Sequence, residues 1–182
     1  MPNSGFRSLF ADEVEALYAA ESLISKTFPL LKKKVATKEL VLMLDQQAAQ
    51  AKSHTKNLKS ALIFLDRRAA GAESRSVKAM LSECDDALER LEKGNLLDAT
   101  LLVHLQRLEF HRLGAYRATL ALATQLGEDG ILDFLKEAAA FDDVTTKRLG
   151  QIALQVNAEA FADTRSEILA PVIGELEADK VE

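Results

Sequence analysis

The chain has 182 residues, 48% hydrophobic but only 5% aromatic, with no Trp and a net charge of −5. Ala and Leu dominate, which suits a single domain of helices packed side by side, and the acidic balance excludes a sequence-independent nucleic-acid binder. One cysteine, Cys84, rules out an internal disulfide framework and fits a reducing compartment, and no apolar run reaches bilayer length, so a soluble cytoplasmic protein without membrane contact is expected. Residues 1–8 read as a loose lead-in. The first helix is predicted over Leu9–Lys34, with Asp12, Glu13 and Glu15 early and Lys32 to Lys34 late, both favourable to the helix dipole. Its inward stripe is Val14, Leu17, Tyr18, Glu21, Ile24, Phe28 and Leu31, with a kink expected at Pro29.

Thr37 is placed to cap the second helix, predicted over Lys38–Arg68. Its stripe is apolar at both ends but polar in the middle, at Gln47, Gln50 and His54. A long connection follows, 69–95, holding a short helix over Ser76–Glu92, with Gly94 as a plausible C-cap. The third long helix spans Leu96–Leu126, with a stripe of Leu101, Leu105, Leu108, Ala115, Tyr116, Thr119 and Leu122, and Glu109 and Arg112 fall inside it. After the turn at Gly127–Gly130 the fourth helix is predicted over Ile131–Gln155, with Asp142 and Thr145 mid-stripe. The tail, 156–182, carries Phe161, Ile168, Leu169, Val172, Ile173 and Leu176 around Pro171, and reads as one or two short helices lying on the bundle or on a partner.

Short, long and short connections pair the first helix with the second and the third with the fourth. One long crossover in the middle is the connectivity of a ferritin-like four-helix bundle, distinct from an up-down bundle. The expected architecture is therefore all-α, a single ferritin-like domain over 1–182 with the bundle at 9–155 and a short C-terminal helical segment at 156–182. Each polar interruption lies near the middle of its helix, so Glu21, Gln47, Gln50, His54, Glu109, Arg112, Asp142 and Thr145 are predicted to meet in one layer. A di-iron site there needs a Glu from each of two helices and Glu-x-x-His from each of the others. This chain has no Glu-x-x-His. It offers carboxylates at Glu21, Glu109 and Asp142 and an imidazole at His54, with the neutral Gln50 one turn before it.

The residues Ser8-Leu9-Phe10, Leu17-Tyr18-Ala19-Ala20-Glu21 and Phe28-Pro29 resemble motifs of the YciE/YciF-like stress-induced ferritin-like proteins of bacteria. The resemblance extends through Asp98-Ala99-Thr100-Leu101, Gln106-Arg107-Leu108-Glu109 and Val156-Asn157-Ala158-Glu159-Ala160, covering the chain to about residue 160. It implies a dinuclear carboxylate centre holding iron or manganese, and a homodimer. This chain departs from the family where the metal chemistry should be. The second-helix His-x-x-Glu-Thr falls on Gln47, Gln50 and Ala51. The third-helix Glu-His-Tyr-Glu falls on Glu109, Phe110, His111 and Arg112, and the fourth-helix Glu-Glu followed by Asp on Phe141, Asp142 and Thr146. Glu21, His54, Glu109 and Asp142 are thus vestigial metal candidates, with Gln50 and Arg112 at substituted ligand positions.

Arg112 is permanently charged and brings a fork of donors one turn from Glu109. An ion-pair network replacing the metal ions is the preferred reading, with Glu21 paired to Arg112 or Tyr18 and no cofactor expected. His104 and His111 are assigned to the flanks of the third helix, and Cys84 to a buried apolar position. The functional expectation is a stress-associated bundle protein that is not an enzyme and acts through protein contacts. The alternatives are a di-iron or dimanganese protein with residual oxidase-like activity, and an adaptor that binds a protein partner through 156–182.

Overall fold

The structure, a computed structural model, describes the backbone of residues 4–69 and 73–178 and the side chains of 5–69 and 73–166. Five helices follow in order: α1 (Ser4–Leu31), α2 (Lys38–Phe64), α3 (Arg75–Arg90), α4 (Asn95–Leu126) and α5 (Asp129–Ala178). The most extensive packing is of α1 on α2 and of α4 on α5, while α3 lies against α4 and α1. These are the two antiparallel pairs and the long crossover of a ferritin-like bundle.

Several boundaries differ from the sequence expectation. Helix α1 begins at Ser4, so most of the supposed lead-in is helical, and it ends at Leu31, before the lysine run. Lys32 to Lys34 form the turn that follows, and Lys32 pairs with Asp45 on α2. Thr37 stands at the start of α2 in an extended conformation, but its hydroxyl caps nothing. The capping acid comes instead from α4. Asp98, fully buried, accepts from the amides of Ala36 at 3.0 and 3.1 Å and of Thr37 at 2.6 Å. This clamp ties the α1–α2 corner to the first turn of α4.

Gly94 is extended and precedes α4, whereas α3 ends at Arg90 with Leu91 as its cap, so Gly94 caps no C-terminus. The left-handed glycine is Gly127, with φ of 69°, which closes α4 as the Glu128 amide donates to the Ala123 carbonyl. The largest correction concerns the tail. Helix α5 does not stop at Gln155 but runs on as one helix to Ala178, through Pro171. Ile152, Ala153, Val156 and Ala160 are all buried, so the inward stripe of α5 continues past the predicted end. Nothing between Gln155 and Ala170 is a Gly or Pro that would break it.

The core is divided in two along the bundle axis. One cluster gathers Ile24, Phe28, Leu40, Leu44, Leu101, Leu105 and Ile152, with Cys84 joining it from the buried side of α3. The other gathers Phe10, Val14, Leu58, Leu62, Leu113, Ile131 and Leu135. Between them lies a layer that is buried but polar.

Candidate functional site

Each long helix contributes to this layer from the middle of its inward stripe, where 3.6-residue periodicity turns every third or fourth residue to the core. Glu21 (α1), Gln47 and His54 (α2), Glu109, Arg112 and Tyr116 (α4) and Asp142 (α5) are all at most 3% exposed. The centre is Arg112. Its Nη1 donates to Gln47 Oε1 at 2.8 Å and to both oxygens of Glu109 at 2.9 and 3.1 Å. Its Nη2 donates to Glu21 Oε1 at 3.0 Å and lies 3.1 Å from Asp142 Oδ1. That last contact is a charge approach without hydrogen-bond alignment, and neither oxygen of Asp142 has a hydrogen-bond partner.

Glu21 also accepts from the Tyr116 hydroxyl at 2.7 Å. Because that hydroxyl has one hydrogen, His54 Nδ1 acts as donor toward Tyr116 at 3.0 Å and toward Glu21 at 3.3 Å. His54 Nε2 then accepts from Gln50 Nε2 at 2.8 Å. The ring is packed edge-on against Tyr116 and Phe134, with centroids 5.5 and 5.4 Å away.

The carboxyl groups respond differently to the same cation. Burial pushes the pKa of Glu21 up, but Arg112 beside it, helped by His54 and Tyr116, brings it down to about 2. Burial dominates at Asp142, and despite Arg112 its pKa rises to about 8, with Glu109 and Glu21 pushing the same way. Glu109 is also raised, by burial first, against the pull of Arg112. For Arg112 itself burial is outweighed by Glu109, Glu21 and Asp142, which hold the guanidinium charged. Burial thus favours the protonated form of Asp142 despite its 3.1 Å approach to the cation. One guanidinium outweighs burial at Glu21 alone, and burial prevails at Glu109 and Asp142.

Of the residues predicted to share a layer, Glu21, Gln47, His54, Glu109, Arg112 and Asp142 do meet; Gln50 sits at the half-buried edge and reaches the centre only through His54, and Thr145 is buried on α5 without a hydrogen bond to any of them. Glu21 is paired with Arg112 but not with Tyr18; its aromatic partner is Tyr116. The sequence reading placed Tyr116 in the apolar stripe and missed its hydroxyl. Its spacing of four from Arg112 and seven from Glu109 was the available signal. His104 and His111 bond Glu83 and Ser76 on α3, at 2.9 and 3.0 Å, outside the layer.

The donor set does not fit the dinuclear metal centre that the fold family implies. A permanent cation lies 2.9–3.1 Å from an oxygen of each of the three carboxyl groups, where a divalent ion would meet its repulsion. Both nitrogens of His54 are engaged by neighbouring side chains. Among the described residues no group of three or more His, Cys, Asp or Glu side chains is arranged to hold a metal.

Residues 5–162 match the family described as Domain of unknown function (DUF892). The chain belongs to this family. A curated relative, Protein YciF of Escherichia coli (strain K12), is 28% identical over 86 residues, 47% of this chain. That match spans about half of the relative's length, 52%. Among solved structures, the E. coli stress protein YciF superposes with a TM-score of 0.78 at 18% identity, covering 84% of this chain and 97% of that one. YcfI from Rhodopseudomonas palustris superposes with a TM-score of 0.74 at 20% identity, covering 80% and 92%. At these identities the superpositions establish the bundle of this DUF892 chain and say nothing of its chemistry. Among its described residues, no helix is long and apolar enough to cross a membrane.

Proposed function

We propose that this protein is a non-catalytic, stress-associated bundle in which Arg112 takes the place of a dinuclear metal centre, and that it acts through contacts with other protein chains. The observation that carries the reading is the fork of Arg112, which reaches Glu21, Glu109, Asp142 and Gln47 at 2.8–3.1 Å from the inside of the bundle. A guanidinium satisfies several acids at once with fixed geometry, and it does so without a vacant coordination position for oxygen or substrate. The stress association rests on the E. coli relative, which is described as a stress protein.

The test is metal content. The purified chain is incubated with Fe(II) or Mn(II), desalted and measured by inductively coupled plasma mass spectrometry, and iron oxidation is followed optically. The expected result is substoichiometric metal and oxidation no faster than in buffer. Arg112→Glu supplies a fourth central carboxylate and is expected to take up metal where the parent does not. Near-stoichiometric iron or manganese in the parent chain overturns the reading, as does an Arg112→Glu variant that folds and binds no more than the parent.

A further inference from the structure

A cavity of about 170 Å³ leads from the surface of the bundle to the ion pair at its centre. It lies on the seam between α1 and α4, where α3 begins. Ser76 at the start of α3 meets His111, and Glu83 further along meets His104. Helix α3 therefore runs antiparallel to α4 and covers the seam from His111 toward Asn95. Around its first turn the walls are small: Ala16 and Ala20 on α1, Ala115 on α4, and Ser74 just ahead of α3. Leu17 adds an apolar flank, and Glu13 and His111 are half-buried at the rim. Glu21 and Arg112, each 1% exposed, close the inner end.

These two residues bond each other through one atom apiece, Arg112 Nη2 donating to Glu21 Oε1 at 3.0 Å. A bidentate pair would bring a second nitrogen to the second oxygen. Here Nη1 is taken by Glu109 and Gln47, and both Arg112 Nε and Glu21 Oε2 are buried without a hydrogen-bond partner in the protein. Buried polar atoms left unpaired are costly, so a molecule that pairs both gains affinity from each. The cavity thus ends in one N–H donor and one carboxylate acceptor, on two residues whose charges cancel. We propose that it binds a small neutral molecule carrying an acceptor beside a donor, a primary carboxamide, whose carbonyl accepts from Arg112 Nε and whose NH2 group donates to Glu21 Oε2.

Charge decides against the nearest alternatives. A carboxylate ligand would accept from Arg112 Nε but would set a second negative charge against Glu21, with Glu13 at the rim. An alkylammonium would serve Glu21 Oε2 but would face the guanidinium. Either one buries an ion that the site does not neutralise, which is far more costly than burying an amide with both of its hydrogen bonds made. Size limits the rest of the ligand. A water fills about 30 Å³ in the liquid, so the space suits a molecule of about five or six non-hydrogen atoms. Ala16, Leu17, Ala20 and Ala115 offer apolar contact to a short alkyl end. The inference rests on the reading above in one respect, that Arg112 and not a metal ion stands beside Glu21.

The probe is propanamide, with propanoate and propylammonium as charged counterparts of nearly the same shape. Binding to the full chain is followed by nuclear magnetic resonance on the Nε–H signal of Arg112. Propanamide is expected to shift that signal saturably, with a dissociation constant of about 1–10 mM for so small a ligand, and the charged counterparts to bind about tenfold more weakly or less. Ala16 is exposed at the mouth, so Ala16→Leu fills the entrance without touching the core. That variant is expected to keep its circular dichroism and to weaken propanamide by about tenfold or more. An Arg112 signal unmoved by tens of millimolar propanamide overturns the proposal. So does propanoate or propylammonium binding as tightly as the amide, or a folded Ala16→Leu chain that binds it as the parent does. A chain that takes up iron and still shows the shift loses only the reading of the centre; one that takes up neither metal nor amide loses only this site.

Discussion

Two places in this bundle bury acids, and they solve the same problem in opposite ways. Asp98, at one end of the bundle, meets the amides of Ala36 and Thr37, backbone donors that carry no formal charge and cannot move away. The central layer collects Glu21, Glu109 and Asp142 around the single guanidinium of Arg112 and leaves Asp142 without a hydrogen bond. A carboxylate fixed by backbone amides needs only that the chain fold. Three carboxyl groups around one cation depend on that cation's presence and on the proton count. The first site is a clamp, while the second is a balance of charge.

Removing the cation should expose the difference most strongly. Arg112→Met keeps most of the side-chain volume but leaves two or three acids buried without their counter-ion, and breaking a buried ion pair from one side costs about 3–5 kcal/mol. The variant should unfold at markedly lower urea concentration than the parent. It should recover part of the loss at low pH, where protonated carboxyl groups no longer need the guanidinium. An Arg112→Met chain as stable as the parent would mean that the layer holds its acids by other means.

At the clamp, Asp98→Ala orphans the two amides at the α1–α2 corner. Each buried unsatisfied donor costs about 1–3 kcal/mol, so a total of about 2–3 kcal/mol is expected once water reaches part of the site. Asp98→Asn retains one acceptor oxygen and should recover about half. Hydrogen exchange at Ala36 and Thr37 should accelerate in both variants, with the layer untouched. If exchange instead accelerates at the middle of α4, the corner and the layer are one cooperative unit.

The contrast also marks what the sequence makes legible. Glu21, Gln47, His54, Glu109, Arg112 and Asp142 could be placed together because each interrupts an apolar stripe at helical spacing. Short loops and one long crossover then bring the four interruptions to one level. Asp98 gave no such signal. An acid in the first turn of a helix looks like a response to the dipole, and its actual partners lie 61 and 62 residues away in a corner with no side-chain pattern. Tyr116 was placed correctly but read as apolar, since a stripe reports which residues face inward and not which atoms pair there. The predicted end of α5 failed for a different reason. The apolar residues around Pro171 were assigned to separate short helices, but the inward positions Val156 and Ala160 carry the stripe on past Gln155.

Within the layer, Tyr116→Phe is the next smaller perturbation. It removes a donor from Glu21 at 2.7 Å and an acceptor from His54 at 3.0 Å while keeping the ring that packs against Phe134. A hydrogen bond to a charged group contributes about 1.5–3 kcal/mol, and Arg112 and His54 still hold Glu21, so a loss of about 1.5 kcal/mol is expected in urea denaturation. Fluorescence of the remaining Tyr18 should report the same midpoint as circular dichroism if the layer unfolds with the bundle.

The smallest effect at neutral pH should come from the member of the layer that the cation serves least. Asp142 has its pKa raised from 3.8 to about 8 by burial, so the folded chain keeps a proton there that the unfolded chain releases above about pH 4. A group that binds its proton more tightly when folded contributes stability fully at low pH and loses it as pH rises from about 4 to about 8. Glu21 works in the opposite sense. Its pKa is lowered to about 2, so its contribution is present above the ordinary value of 4.5 and is lost as pH falls toward 2. Asp142→Asn is uncharged at every pH and nearly isosteric with the protonated acid. It should change stability by less than about 1 kcal/mol at pH 5, where the parent aspartate is protonated in the fold. Between pH 5 and 8 the parent's urea midpoint should fall more than the variant's, so that the two curves diverge as pH rises. Parallel curves over that range would place an ionised carboxylate at Asp142. The layer would then hold three charged acids on one guanidinium, and the comparison with the amide-clamped Asp98 would become one of degree.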